Sequence, residues 1–138
     1  MWREIFYSRD KVMIYIFSLI IMTNGIMVLS VKGTNEWGSS GSNGDDVVFK
    51  TNEQSLKGKI ELDELSTLDI NLTNDTDYEG MINTENSAKE VKLTLDSSSI
   101  FKLTGDTYVT SLDDENSTYD NIDLNRYHLY VNGESLIK

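Results

Sequence analysis

The stretches LDINLTNDTDY, residues 68–78, and VKLTLDSSSIF, residues 91–101, decide the expected fold of this chain. Each begins with strict alternation of apolar and polar residues, the period of a β-strand that buries one face. The two stretches align without a gap at a shift of 23 residues. Apolar residues then fall on apolar residues at Leu68/Val91, Ile70/Leu93, Leu72/Leu95 and Tyr78/Phe101. The alignment predicts strands that repeat along the chain.

A second pattern, an apolar residue two positions before a glycine, indicates a similar period. It occurs at residues 56–58, 78–80 and 103–105, with spacings of 22 and 25. A repeat in the low twenties is typical of one coil of a parallel β-helix, whose coils bury their apolar faces by stacking on each other.

We therefore expect an all-β domain over residues 47–138, a short right-handed parallel β-helix of about three to four coils. The coils are expected at about 45–66, 67–89 and 90–119, with a terminal piece from residue 121. An antiparallel β-sandwich is the alternative, because short strands at regular spacing also permit it. The regular repeat favours the β-helix.

The two ends of this domain differ in sequence. Residues 127–131 alternate before Asn132-Gly133, a strong turn signal, which predicts a capping strand or hairpin. At the other end the domain begins abruptly at Asp45 without a polar cap. We therefore expect a truncated β-helix whose N-terminal coils are missing.

The N-terminal segment, residues 1–32, is predicted to be a signal peptide or a membrane-anchor helix. Residues 12–31 carry no charge, and Arg9 and Lys11 precede them. This length suits a helix across a hydrocarbon core of about 30 Å, and the preceding cations favour a cytoplasmic N-terminus. The strongly apolar part, residues 12–22, also fits the core of a cleavable secretory signal. The alternatives of cleavage and membrane retention stay open. A buried core helix is a third alternative.

Composition and charge exclude several classes of protein. The chain has 138 residues, with 12 basic and 23 acidic side chains, no cysteine and no proline. The absence of cysteine excludes disulfides, thiol nucleophiles and zinc fingers, and the acidic charge excludes a nucleic-acid-binding footprint. Residues 1–32 have a net charge of +2, so the remaining 106 residues carry −13. This asymmetry separates an exporting segment from a body, joined by a Gly/Ser/Asn-rich connector at residues 33–46. We expect a secreted or cell-surface protein.

The sequence does not favour an enzyme. His128 is the only histidine, no G-x-S-x-G motif is present, and Arg126 is the only arginine of the body. Carboxylate pairs suitable for glycoside hydrolysis arise by chance in so acidic a chain.

Calcium is the one cofactor that the composition favours. Ca²⁺ takes six to eight oxygen ligands, which carboxylates and asparagines supply. The candidate ligands cluster in the last coil and are Asp113, Asp114, Glu115 and Asp120. The alternative is a solvated acidic loop.

Exposed aromatic rings are the expected contacts for sugars. The candidates are Trp37, in a Gly/Ser-rich surround, Tyr108 and Tyr119. Tyr78 and Phe101 share one repeat position and are instead expected to stack inside the domain.

Four parts of the body carry a family resemblance. They are WGSSGSNG at 37–44, QSLKGKI at 54–60, LTGDTYVTSL at 103–112, and NIDLN at 121–125 together with YVNG at 130–133. These runs resemble the C-terminal coils of the carbohydrate-binding parallel β-helix proteins of bacterial and archaeal cell surfaces, which look like relatives of pectate lyases. The resemblance implies a non-catalytic, adhesin-like module that binds acidic, pectin-like polysaccharide with calcium. The alternative is a structural surface or stalk protein, or a remnant, with no ligand of its own.

Overall fold

The computed structural model describes residues 46–138 in full, and of residues 1–45 it describes the backbone of three strands. The described residues are all-β and form a parallel β-solenoid of about four turns, with no helix among them. The strands are, in chain order, β1 (Trp2–Ser8), β2 (Lys11–Phe17), β3 (Ile26–Val31), β4 (Asp46–Asn52), β5 (Ser55–Leu62), β6 (Thr67–Leu72), β7 (Asp77–Ile82), β8 (Glu90–Leu95), β9 (Ile100–Leu103), β10 (Thr107–Val109), β11 (Ser111–Asp114), β12 (Ile122–Asp123), β13 (Leu129–Val131) and β14 (Glu134–Ser135).

These strands form three sheets that run along the axis of the solenoid. The first sheet has the order β1-β2-β4-β6-β8-β11, the second β3-β5-β7-β9-β12, and the third β10-β13-β14. Neighbouring strands are parallel except at the pairs β1–β2 and β13–β14. The parallel pairing confirms the predicted solenoid and excludes the antiparallel sandwich for the described body. Right-handed winding stays a prediction.

The register of the central strands confirms the 23-residue shift. Leu68 lies opposite Val91, and Tyr78 lies opposite Phe101. The glycine pattern is confirmed only in part. Gly58 lies opposite Gly80, but Gly80 lies opposite Leu103, so the predicted third member at Gly105 is wrong. β9 ends at Leu103, which leaves Gly105 in the turn after it.

The predicted coil boundary near residue 119 is also wrong. β11 pairs with β8 from Ser111 onward, so a new turn of the solenoid begins there and the preceding turn ends at about residue 110. β11 reads SLDD, with Leu112 as its one apolar residue, so it lacks the alternation that marks the other strands of its sheet. The residues from 121 belong to this last turn and do not form a separate piece.

The core is a column of inward-facing side chains from successive turns. Tyr78, Ile70, Leu93 and Phe101 are each at most 1% exposed. The rings of Tyr78 and Phe101 stack with centroids 5.1 Å apart and planes 6° apart, as the shared repeat position predicts. The hydroxyl of Tyr78 donates to the backbone oxygen of Gly58 at 2.8 Å. Desolvation by burial raises the pKa of Tyr78, so this phenol stays protonated.

A second column, of buried polar side chains, follows the corner between the first and second sheets. The backbone nitrogen of Gln54 donates to Thr76 Oγ1 at 3.3 Å, and that of Thr76 donates to Ser99 Oγ at 3.1 Å. Asn121 continues the column, since its Nδ2 donates to the backbone oxygen of Ser99 at 3.1 Å. Each turn thus satisfies the backbone of its neighbour without water.

The C-terminal hairpin is confirmed. β13 pairs with β14 across Asn132 and Gly133, whose φ angles are 50° and 84°. Two positive φ angles are typical of the type I′ turn that joins twisted strands. The strand begins at Leu129, so Tyr127 and His128 lie before it.

The predicted N-terminal helix spans residues 12–31. Residues 18–25 lie outside the described part, and for the rest the structure describes only backbone, in strands β2 and β3, with no described side chains. The helix is not settled by these residues and stays a prediction, as do the connector and the export signal. Among the residues that the structure describes, no helix is long and apolar enough to span a membrane.

Candidate functional site

An aromatic pair stands on the third sheet. β10 and β13 are parallel, and their register places Tyr108 directly opposite Tyr130. The two rings stack with centroids 4.6 Å apart and planes 8° apart, and both side chains are half-buried. Because Tyr130 joins the predicted Tyr108, the structure builds a platform of two rings where the sequence indicated one.

Polar groups border this platform. The ring of His128 lies 5.8 Å from that of Tyr130, tilted by 32°. The backbone nitrogen of His128 donates to Asp106 Oδ1 at 2.9 Å, and His128 Nδ1 lies 3.3 Å from the same oxygen. Asp106 therefore fixes the loop that carries the imidazole. We call Asp106, Tyr108, His128 and Tyr130 the tyrosine patch.

The other predicted sugar contacts are not part of the patch. Tyr119 is half-buried and packs against the hydrophobic core, and its backbone oxygen accepts from Lys138 Nζ at 2.9 Å. Trp37 lies outside the described residues. A 22-residue shift from Tyr108 to Tyr130, matching the period of the repeat, was the signal that could have added Tyr130.

Three of the four predicted calcium ligands accept hydrogen bonds from different groups, and the fourth is exposed to solvent. Asp114 Oδ1 accepts from the backbone nitrogen of Asn116 at 2.9 Å. Glu115 Oε2 accepts from the backbone nitrogen of Ser97 at 3.1 Å. Asp120 Oδ2 accepts from Thr118 Oγ1 at 2.6 Å, and Asp113 is exposed. These bonds order the loop between β11 and β12 and the turn beside it.

Within residues 46–138, no group of three or more acidic, histidine or cysteine side chains is placed to hold a metal ion together. The calcium prediction on these four carboxylates therefore stays a prediction. Asn121 was not predicted as a ligand from the sequence, but its side chain contacts this loop. Its Nδ2 donates to Asp114 Oδ1 at 3.0 Å.

Asp96 holds the turn next to this loop. Desolvation by burial alone would raise its pKa, but hydrogen bonds from the backbone of Asn74 and from Ser99 and Ser98 outweigh it and lower the pKa. The shortest of these bonds in the described turn joins the nitrogen of Asn74 to Asp96 Oδ2 at 2.6 Å. Asp96 therefore acts as an ionised acceptor between two turns of the solenoid.

Shallow depressions also mark the outer faces of the two large sheets. One, of about 230 Å³, is lined by residues that include Lys57, Glu79 and Lys102 on the second sheet. Lys57 Nζ pairs with Glu79 at 3.3 Å, with both side chains well exposed. Such exposed ion pairs contribute little to the free energy of folding. Because both positive and negative side chains line this depression, its charge does not indicate a particular ligand.

Comparisons of the chain with protein family models, with curated proteins and with solved structures found no match. The functional proposal therefore rests on the chemistry of the described residues.

Proposed function

We propose that this chain is an exported, adhesin-like module that binds carbohydrate on the tyrosine patch. The stacked pair of Tyr108 and Tyr130 is the observation that carries the proposal. Sugars present apolar C–H faces that pack on aromatic rings, while their hydroxyls need polar partners close by. His128 and Asp106 supply both donor and acceptor atoms beside the rings.

The hairpin leaves one side of the platform accessible. Ser135 lies opposite Tyr130 across the β13–β14 pair, and it is exposed. A serine covers little of a neighbouring ring, so the face of Tyr130 that turns away from Tyr108 is available to a sugar. Tyrosine suits this role because its ring is apolar and its hydroxyl is polar.

The negative charge of the domain restricts the kind of glycan that it can bind. Residues 46–138 hold 19 acidic and 8 basic side chains, a net charge of −11. An anionic polymer would be repelled by this body unless a divalent cation bridged the two. Acidic, pectin-like polysaccharide is therefore proposed as a ligand only together with calcium, and neutral glycans need no such ion. The parallel solenoid is the architecture that the resemblance to carbohydrate-binding β-helix proteins implies.

The test is retention of the chain on a neutral glycan array and on immobilised polygalacturonate, with calcium or with EDTA. Tyr130→Ala and Tyr108→Ala are expected to weaken binding roughly five- to thirtyfold, the equivalent of about 1–2 kcal/mol of stacking. Tyr127→Ala is the matched control, because Tyr127 is 40% exposed and near the patch but outside the stacked pair. No retention on any glycan, or equal losses in all three variants, would contradict the proposal.

A structural stalk without a ligand is the alternative function. End-to-end association would need an open last turn, and the tail covers the part of that turn formed by β13. Leu136 packs against the core, and its nitrogen donates to the oxygen of Leu129 at 2.7 Å. This cover favours the binding module. We continue to expect no catalytic activity.

A further inference from the structure

Two buried oxygens in the last turn have no hydrogen-bond partner among the described residues. They are Oδ2 of Asp114 and Oδ1 of Asn121. The orientation of the Asn121 amide is well determined, because Nδ2 faces three acceptors: the backbone oxygens of Asp96 and Ser99 and Oδ1 of Asp114, at 3.2, 3.1 and 3.0 Å. A flipped amide would place an oxygen against three oxygens. The unpartnered Oδ1 of Asn121 is therefore a property of the fold.

Both unpartnered atoms belong to one small region. The 3.0 Å bond between Asn121 Nδ2 and Asp114 Oδ1 joins the two side chains, and Asn121 is only 8% exposed. A carboxylate oxygen and an amide oxygen are both acceptors, so the missing partner is either a donor or a cation.

The surrounding charge favours a cation. Residues 103–125 contain six acidic side chains and no lysine or arginine. Lys138 Nζ reaches this turn, but it donates to the backbone oxygens of Tyr119 and Ile122 and not to either unpartnered atom. Asp114 is half-buried, but its Oδ2 atom is buried, and a charged oxygen without a partner is costly. A neutral water would leave that charge uncompensated.

We propose that Asp114 Oδ2 and Asn121 Oδ1 are ligands of a calcium ion, with water or backbone oxygens completing its shell. Ca²⁺ accepts a mixed and irregular set of oxygens, whereas Mg²⁺ demands near-ideal octahedral geometry. This ligand pair keeps one residue of the sequence-predicted set and adds a buried asparagine. Glu115 and Asp120 instead accept hydrogen bonds from the backbone nitrogen of Ser97 and the hydroxyl of Thr118. The site goes beyond the proposed glycan binding and does not depend on it.

The test is thermal unfolding of the full chain in EDTA, CaCl₂ or MgCl₂ at constant ionic strength, with no glycan present. Calcium at ten times its Kd raises the folding equilibrium constant about elevenfold and shifts the midpoint by roughly 5–10 °C. Asp114→Asn is expected to lose this shift while remaining at least as stable as the parent chain in EDTA, because the charge on its buried, unpartnered Oδ2 has been removed. Asp113→Asn makes the same change on an exposed side chain and is expected to keep the shift.

Asn121→Asp provides an independent variant. The added carboxylate is expected to tighten calcium binding about tenfold, measured by calorimetry with one ion per chain. It also removes the Nδ2 donor, so the variant should be less stable in EDTA and recover in calcium. If Asp114→Asn fails to fold, this tightening decides the proposal. An unchanged midpoint of the parent chain in calcium, equal shifts in Asp113→Asn and Asp114→Asn, or no tightening in Asn121→Asp would overturn it.

Discussion

Gly80 makes room for Tyr78, the largest fully buried side chain within residues 46–138. Gly58 and Gly80 lie opposite each other on β5 and β7, and the ring of Tyr78 folds over them to reach the oxygen of Gly58. A Cβ on Gly80 would overlap that oxygen and would lie 2.5 Å from the hydroxyl of Tyr78. Gly80, one member of the glycine pattern that suggested the repeat, is therefore required by the packing of Tyr78.

Gly80→Ala is expected to lower the free energy of unfolding by about 1–3 kcal/mol, because backbone and a locked ring must both move. Gly105→Ala is the matched control. Its Cβ would meet the sulfur of Met81 at 2.6 Å, the flexible end of a side chain that can turn away. Urea denaturation measures both changes, and equal losses would show that the Tyr78 pocket does not limit residue 80.

Side-chain hydrogen bonds in the turns also connect successive coils of the solenoid. Between β8 and β9, Asp96 Oδ1 accepts from the backbone nitrogens of Ser98 and Ser99 at 3.1 and 2.9 Å. Its other oxygen accepts from Asn74 in the neighbouring turn. One carboxylate thus closes its own turn and fixes it to the next, as Asp and Asn side chains do in turns generally.

The lowered pKa of Asp96 predicts an acid dependence of stability. The ionised carboxylate stabilises the fold fully above its unfolded pKa of about 3.8, and this contribution is lost as the pH falls through the lower folded pKa. Asp96→Asn is therefore expected to show a shallower fall in midpoint below about pH 4 than the parent chain does. Glu85→Gln, on an exposed loop, is the control and should leave the slope unchanged. A slope unchanged by Asp96→Asn would contradict the lowered pKa.

One element that the sequence analysis did not predict is β11. Its neighbours in the first sheet alternate clearly, but β11 carries two aspartates and a single half-buried leucine. An outermost strand does not need the apolar row that a central strand needs, and charge on it prevents further pairing. Such a strand is recognised only when its partner, β8, is seen beside it.

Burial is uneven in the last turn of the solenoid. Ile122 and Leu129 are as fully buried there as Ile70 and Leu93 are in the middle turns, whereas the inward residues Leu112, Leu124 and Val131 are half-buried. Each turn of a solenoid packs mainly on its neighbours, so a turn with one neighbour is held less firmly.

Amide hydrogen exchange should follow this difference. Once intrinsic rates are corrected for, amides of β6 and β8 are expected to exchange at least about tenfold more slowly than those of β11 and β12. The two slow strands have a partner on each side, while β11 and β12 end their sheets in the described structure. Equal protection throughout would show that the described turns open as one cooperative unit.

The sequence by itself determined the strands with clear alternation, the 23-residue shift, the Tyr78–Phe101 stack and the hairpin at Asn132-Gly133. These features are local, or they repeat at a constant spacing, so pattern alone predicts them. Only the tertiary structure decided the position of β11 and the contact of Asn121 with Asp114. Those depend on which residues the stacked turns bring together, and each turn differs by a few residues in length. Such small differences in length decide which side chains meet.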